Sequence, residues 1–164
     1  MKIVYVTNTG STKQYAQMLS EETGFGVYSL SEAVKKLATD EEIIFMGWVM
    51  AGTVQGLKEA REAFSDIRAV CPVGLNKGEK TVTELTEKNA VSVPMFILQG
   101  NFHIDELKGM YKMMMGMMLK MLKGKLKDNP NADGDKIIGA IENGVDCVNR
   151  ENLEEILEWI NTQA

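Results

Sequence analysis

The sequence predicts an α/β fold: a doubly wound, five-stranded parallel sheet in the order 2-1-3-4-5, with a helical insertion after the fifth strand. Three observations predict it. Short apolar runs alternate along the chain with segments whose apolar residues follow a helical spacing. The central runs are continuously apolar rather than alternating, as in strands covered on both faces. The first run passes at once into a helical pattern through a turn rich in hydroxyls. Strands and helices in strict alternation build parallel sheets with right-handed crossovers and helices on both faces.

The elements follow in order. Residues 2–7 read as strand 1, from the run Ile3-Val4-Tyr5-Val6, and residues 12–23 as a helix with Tyr15, Ala16, Met18 and Leu19 on its apolar face. Residues 24–30 read as a short strand 2, less apolar and so near an edge, followed by a short helix at 31–38. Residues 42–47 are strand 3, an unbroken apolar run. Residues 55–65 read as a helix with Leu57, Ala60 and Phe64 inward. Residues 69–74 are strand 4, weakened by Pro72, and residues 78–89 a helix. Residues 93–100 are strand 5, and residues 150–161 the last helix, with Leu153, Ile156, Leu157 and Ile160 in one stripe. The length of 164 residues suits one domain, 1–164.

The turn Thr7-Asn8-Thr9-Gly10-Ser11-Thr12 is the most informative stretch. A strand running straight into a helix leaves backbone N–H groups without partners at the helix start, and these with the dipole make an anion site. Thr7, Thr9, Ser11 and Thr12 add hydroxyl donors, Asn8 an amide, and Gly10 close backbone approach. No lysine or arginine lies in the turn, so a phosphate here is held by neutral donors. A capped helix start needs only one hydroxyl, from Ser11 or Thr12; four within this turn point to phosphate instead. The turn has neither the glycine–lysine pattern of a Walker loop nor the three spaced glycines of a dinucleotide fingerprint.

Ligands of doubly wound sheets bind beyond the carboxyl ends of the strands, where the strand order reverses. The loop after strand 3 is therefore the second half of the site. It holds the apolar triplet Trp48-Val49-Met50 where a polar loop is the default, followed by Ala51-Gly52. Apolar side chains there suit a flat hydrophobic partner on which an aromatic ring can stack. Two more loops share the edge: Leu75 and Asn76 after strand 4, and Gly100, Asn101 and Phe102 after strand 5. His103, the chain's single histidine, reads as a surface or hydrogen-bonding group rather than a catalyst.

The pattern Thr-x-Thr-Gly-x-Thr at the end of the first strand, matched at Thr7, Thr9, Gly10 and Thr12, resembles the phosphate loop of flavodoxins. The resemblance implies FMN, with its 5′-phosphate in Thr7–Thr12 and its ring against Trp48–Gly52. It also implies that the Ala51–Gly52 peptide reorients with flavin reduction, and that Leu75, Asn76 or Phe102 covers the outer ring face. A helix-rich segment after strand 5 is similar to one in quinone-dependent protoporphyrinogen oxidases, which implies a flavin-dependent oxidoreductase as an alternative. A non-redox binding module on the same fold is a further one. The leading expectation is an FMN-binding redox carrier that passes electrons between partner proteins.

Composition narrows the classes. Apolar content of 45% and charged content of 25% are ordinary for a globular protein. The net charge of −5 argues against nucleic-acid binding. Cys71 and Cys147 fit no metal spacing and suggest a reducing, cytoplasmic setting; Cys71 lies in an apolar run and reads as a small buried hydrophobe. The start Met1-Lys2-Ile3-Val4 reads as immediate strand rather than a targeting segment, and no apolar run is long enough to span a bilayer.

Residues 104–127 stand apart. They hold seven of the 12 methionines and six lysines against Asp105 and Glu106, a net of +4 on a chain of −5. Leu107, Met110, Tyr111, Met114, Met117, Met118 and Met121 form a helical stripe, and Met113, Met115 and Leu119 widen it. The segment reads first as a helix packed on its own sheet with its lysines in water; the excess beyond one packed face keeps peripheral membrane or protein contact, or a dimer interface, as alternatives. Residues 128–149 begin as a polar loop, with a short helix at 136–143.

Overall fold

Strand formation at the start of the chain needs no local encouragement beyond its run of β-branched and aromatic residues, since the flanking strands satisfy its backbone. β1 (Lys2–Val6) pairs in parallel with β2 (Val27–Ser29) on one side and β3 (Ile43–Met50) on the other. The structure, a computed structural model, describes residues 1–75, 77–128, 130 and 132–163. They fall into two compact units, Met1–Gly100 with Val148–Ala164, and Asn101–Cys147.

In the first unit, β5 (Ile67–Gly74) lies beside β3, and β6 (Leu98–Gln99) beside β5. The parallel order is β2-β1-β3-β5-β6, the order read from the sequence. One strand was not foreseen: β4 (Thr53–Val54) folds back antiparallel on the end of β3.

β3 explains the two-layered core. Ile43, Ile44, Phe45 and Met46 are completely buried, each burial worth about 1.5–3 kcal/mol. Side chains alternate along a strand. Ile44 and Met46 join Tyr15, Ala16 and Leu19 of α1 (Ser11–Thr23) and Ile156 and Ile160 of α7 (Glu154–Thr162). Ile43 and Phe45 join Ala33 of α2 (Leu30–Lys36) and Leu57 and Ala60 of α3 (Leu57–Ala63) on the opposite face. α4 (Glu79–Lys88) follows β5. Leu57, Ala60 and Phe64 are buried, as their spacing implied. Of the expected last-helix stripe, Leu153, Ile156 and Ile160 are buried and Leu157 half-buried; Arg150–Leu153 forms a 3-10 turn ahead of α7.

Strand 5 is shorter than its apolar run. Only Leu98–Gln99 forms a ladder, with an isolated bridge from Met95 to Val70. Pro94 has no N–H to give ahead of that bridge, and Pro72, two residues after Val70 on β5, has none to give after it, so the ladder is interrupted on both sides.

The second unit holds a 3-10 turn at Ile104–Glu106, α5 (Gly109–Asp128) and α6 (Ala132–Asn143), which packs on α5. α6 begins earlier than the expected 136–143 helix, in residues read as loop. Phe102 and Val145 exchange backbone hydrogen bonds, and the Asn101 Oδ1 accepts the Cys147 N–H at 2.8 Å. No helix among the described residues is long and apolar enough to cross a membrane.

Candidate functional site

β1 ends at Val6 and α1 begins at Ser11, so Thr7–Gly10 form the connecting loop at the carboxyl edge of the sheet. Gly10, at φ +105°, occupies the N-cap position, a backbone state open to glycine and strained for other residues. Its N–H donates to the Thr7 hydroxyl at 3.1 Å, closing the loop on itself. No side chain caps α1. The hydroxyl-rich turn is thus not consumed by capping, and no acidic residue lies in the helix's first turn to oppose an anion.

Thr12 and Ser11 are buried, at 1% and 6% exposure, while Thr7, Asn8 and Thr9 are half-buried. Within this loop the Asn8 Nδ2 is buried without a hydrogen-bond partner among the described residues. A buried donor left unpaired costs about 1–3 kcal/mol. An acceptor oxygen of a bound anion removes that penalty, so the residues present fit a phosphate group.

The loop is braced from behind. The Tyr15 hydroxyl, fully buried in α1, donates to the Gln99 carbonyl and accepts from the Asn152 amide at 2.7 Å. This ties the start of α1 to β6. Gly100 donates its N–H to the Gly74 carbonyl at 2.9 Å, and a Cβ on Gly100 would lie 3.5 Å from the Ser11 Cβ. Gly100 therefore sits beside the loop, as its position at a strand end implied. The sequence marks Tyr15 only as a core residue, and nothing in it pairs Tyr15 with Asn152.

The second loop is not a loop over its first half. Trp48, Val49 and Met50 continue β3, and Val49 and Met50 pair with Val54 and Thr53 of β4. The reason lies in two glycines. A Cβ on Gly47 would stand 2.5 Å from the Gln55 carbonyl oxygen, and one on Gly56 the same distance from Val6 Cγ2. Without them the hairpin could not lie against β1 and β3. Val49 packs toward the α2–α3 cluster, and alternation puts Trp48 on the face of Ile44 and Met46, the α1 side. Trp48 is half-buried, and the Val6–Gly47 register places it level with Thr7.

The turn of the hairpin, Ala51-Gly52, has positive φ at both residues, +48° and +74°, as tight hairpins require. Both carbonyls are held. Lys88 Nζ donates to the Ala51 oxygen at 2.5 Å, and Asn89 Nδ2 to the Gly52 oxygen at 2.9 Å. Lys88 and Asn89 had no signal in the sequence beyond the end of a helix.

Leu75 is 45% exposed, and its carbonyl accepts weakly from Gln99 Nε2 at 3.4 Å. Asn76 lies outside the described residues. Asn101 and Phe102 belong to the second unit, where their bonds are to Cys147 and Val145. His103 Nε2 lies 2.8 Å from Asp146 Oδ1, and that carboxylate holds the imidazole above the usual histidine range. Cys71 is completely buried, and burial pushes its thiol up, away from reactivity. Among the described residues no cluster of His, Cys, Asp or Glu is suited to a metal.

A parallel sheet in this order, with a helix following its first strand through a hydroxyl-rich turn, defines a protein of the doubly wound α/β class. A family model described as a flavodoxin domain matches residues 2–129, and the chain belongs to that family. No curated protein and no solved structure matches it.

Proposed function

We propose that the protein binds FMN non-covalently and serves as an electron carrier. The observation that carries this reading is the buried, unpartnered Asn8 amide inside the hydroxyl-rich turn at the start of α1. It is a donor in want of an acceptor where the flavodoxin family, which generally binds flavin, has its phosphate loop.

In this reading the Asn8 amide, the Thr9 and Thr12 hydroxyls and the first N–H groups of α1 bind the phosphate. No lysine or arginine takes part, so the dianion is balanced by dipoles and neutral donors alone. Trp48 stacks on the ring and excludes water, while Val49, Met50 and the Ala51–Gly52 turn form the wall beside it. Bound FMN supplies electron transfer in one- or two-electron steps. The protein's part is to hold, orient and desolvate, with no side chain assigned an acid or base step. Acidic surface away from residues 104–127 steers a basic redox partner, an attraction that salt weakens.

Titration of the purified protein with FMN, followed by absorption, tests the reading. Perturbed flavin bands, and loss of affinity in a Thr9→Ala/Thr12→Ala double variant, support it. Unchanged affinity in the double variant removes the phosphate assignment. Failure of the wild type to bind FMN makes the protein a binding module on this fold. Turnover of bound flavin by a small-molecule substrate alone makes it an oxidoreductase.

A further inference from the structure

α5 is apolar on two faces, and the second unit uses one of them. Tyr111, Met115, Leu119, Leu122 and Leu126 are its half-buried residues, spaced as one helical stripe. On the other side, Met110, Met113, Met114, Met117, Met118 and Met121 are exposed, from 39% at Met118 to 66% at Met117. Six large apolar side chains side by side in water mark an interaction surface. The stripe expected from the sequence is, but for Leu107 and Tyr111, this exposed one.

We propose that the methionine face of α5 docks the protein onto the surface of an anionic phospholipid bilayer. Charge favours that occupant. α5 carries five lysines against Asp128 alone, a net of +4, on a chain whose total is −5. Lys112 and Lys123 pair with Asp105 and Glu142. Lys120, Lys125 and Lys127 are exposed and have no carboxylate in ion-pair reach among the described residues. On a helical projection Lys120 and Lys127 border the methionine face and Lys125 lies along it. Such lysines can run their stems along the apolar surface and put the ammonium among phosphate headgroups.

Methionine by itself suits a protein partner as well as a bilayer, and it is the lysines on and beside the face that disfavour the protein. Protein hot spots are enriched in Trp, Tyr and Arg and depleted in lysine. This face has no aromatic residue, and every cation on the helix is a lysine. A second copy would bring two lysine-bordered faces together. The twenty-residue helix is about 30 Å long, and with no span able to cross a membrane among the described residues it would lie in the interfacial plane.

The inference is independent of the flavin reading. The full chain is sedimented with phosphatidylcholine vesicles, with and without phosphatidylglycerol, at low and high salt. Binding is expected only to the anionic vesicles, falling as salt rises. Lys120→Glu/Lys125→Glu/Lys127→Glu and, separately, Met113→Gln/Met117→Gln/Met121→Gln should each weaken it at least about tenfold. Circular dichroism and FMN titration should be the same in all three proteins, because the substituted side chains are exposed. Absence of binding to anionic vesicles, or equal binding by wild type and variants, overturns the proposal. So does a concentration-dependent dimer in sedimentation velocity that the methionine variant abolishes without any vesicle binding; the face is then a contact between copies of this chain.

Discussion

Asn89 Oδ1 accepts the backbone N–H of Val54 at 2.9 Å, joining the end of α4 to the hairpin that extends β3. The same side chain donates through Nδ2 to the Gly52 and Leu85 carbonyls. Val54 is buried, so its N–H has no solvent to turn to. Asn89→Ala should destabilise the fold by about 2 kcal/mol, the penalty of an unpaired buried donor together with lost hydrogen bonds. Asn89→Asp keeps the acceptor, loses both donors and should fall between. Urea unfolding of the three proteins measures this, and equal midpoints would show that the hairpin stands without the contact.

The residue after Asn89 offers a gain. Ala90 has φ +48° at the position following the C-cap of α4, where the Val91 N–H returns to the Thr86 carbonyl at 3.0 Å. That closure favours glycine in the left-handed region. Ala90→Gly should raise stability by about 0.5–1 kcal/mol, after the entropy of a freer unfolded chain is offset. Thermal unfolding checks it; a lowered midpoint would mean the strain at Ala90 is smaller than its φ implies.

Two glycines in positive φ should behave differently. A Cβ at Gly24 would meet nothing within 4 Å, whereas one at Gly56 would strike Val6 and Phe45. Gly24→Ala carries backbone strain alone and should cost about 1 kcal/mol. Gly56→Ala adds overpacking and should cost about 3 kcal/mol. Equal losses would deny the close approach of the hairpin to β1.

Those glycines also show where the sequence was legible. The β1–turn–α1 unit could be read because each level agrees: an apolar run, a turn glycine at positive φ, then helical spacing. The hairpin could not. Gly47 looked like a strand end, and Trp48-Val49-Met50 an exposed apolar loop; in fact Gly47 stays in the strand because lack of a side chain admits the Gln55 carbonyl. Strand 5 is shorter than its apolar run predicts, because the run does not show a donor missing on the neighbouring strand, at Pro72. In α5 the periodicity was real, but a helix with two apolar faces does not announce which one is covered. The anchors Lys88, Asn89 and Asn152 act across long sequence separations, which no local pattern records.

The pairing of His103 with Asp146 gives the second unit a pH dependence. The carboxylate raises the folded-state pKa, chiefly through their hydrogen bond. A raised pKa stabilises the fold fully below the ordinary histidine range, and the contribution is lost as pH rises through the raised value. Asp146→Asn should bring the His103 titration, followed by NMR of the ring protons, back down toward the ordinary range. An unchanged midpoint would mean that the pair is not maintained in solution.

Asn8 supplies the sharpest separation of fold from function, because its two roles have opposite signs. Without ligand its Nδ2 is a buried donor lacking a partner among the described residues, so Asn8→Ala removes an unfavourable group. Stability of the flavin-free protein should stay level or rise by up to about 1 kcal/mol. With ligand the same substitution deletes a hydrogen bond to a charged phosphate, and FMN affinity should fall roughly tenfold or more. Ligand stabilisation follows affinity, so the rise in thermal midpoint on adding FMN should shrink in the variant while its starting midpoint does not. A purely structural asparagine would do the reverse: its loss would lower the starting midpoint and leave the FMN-induced rise intact.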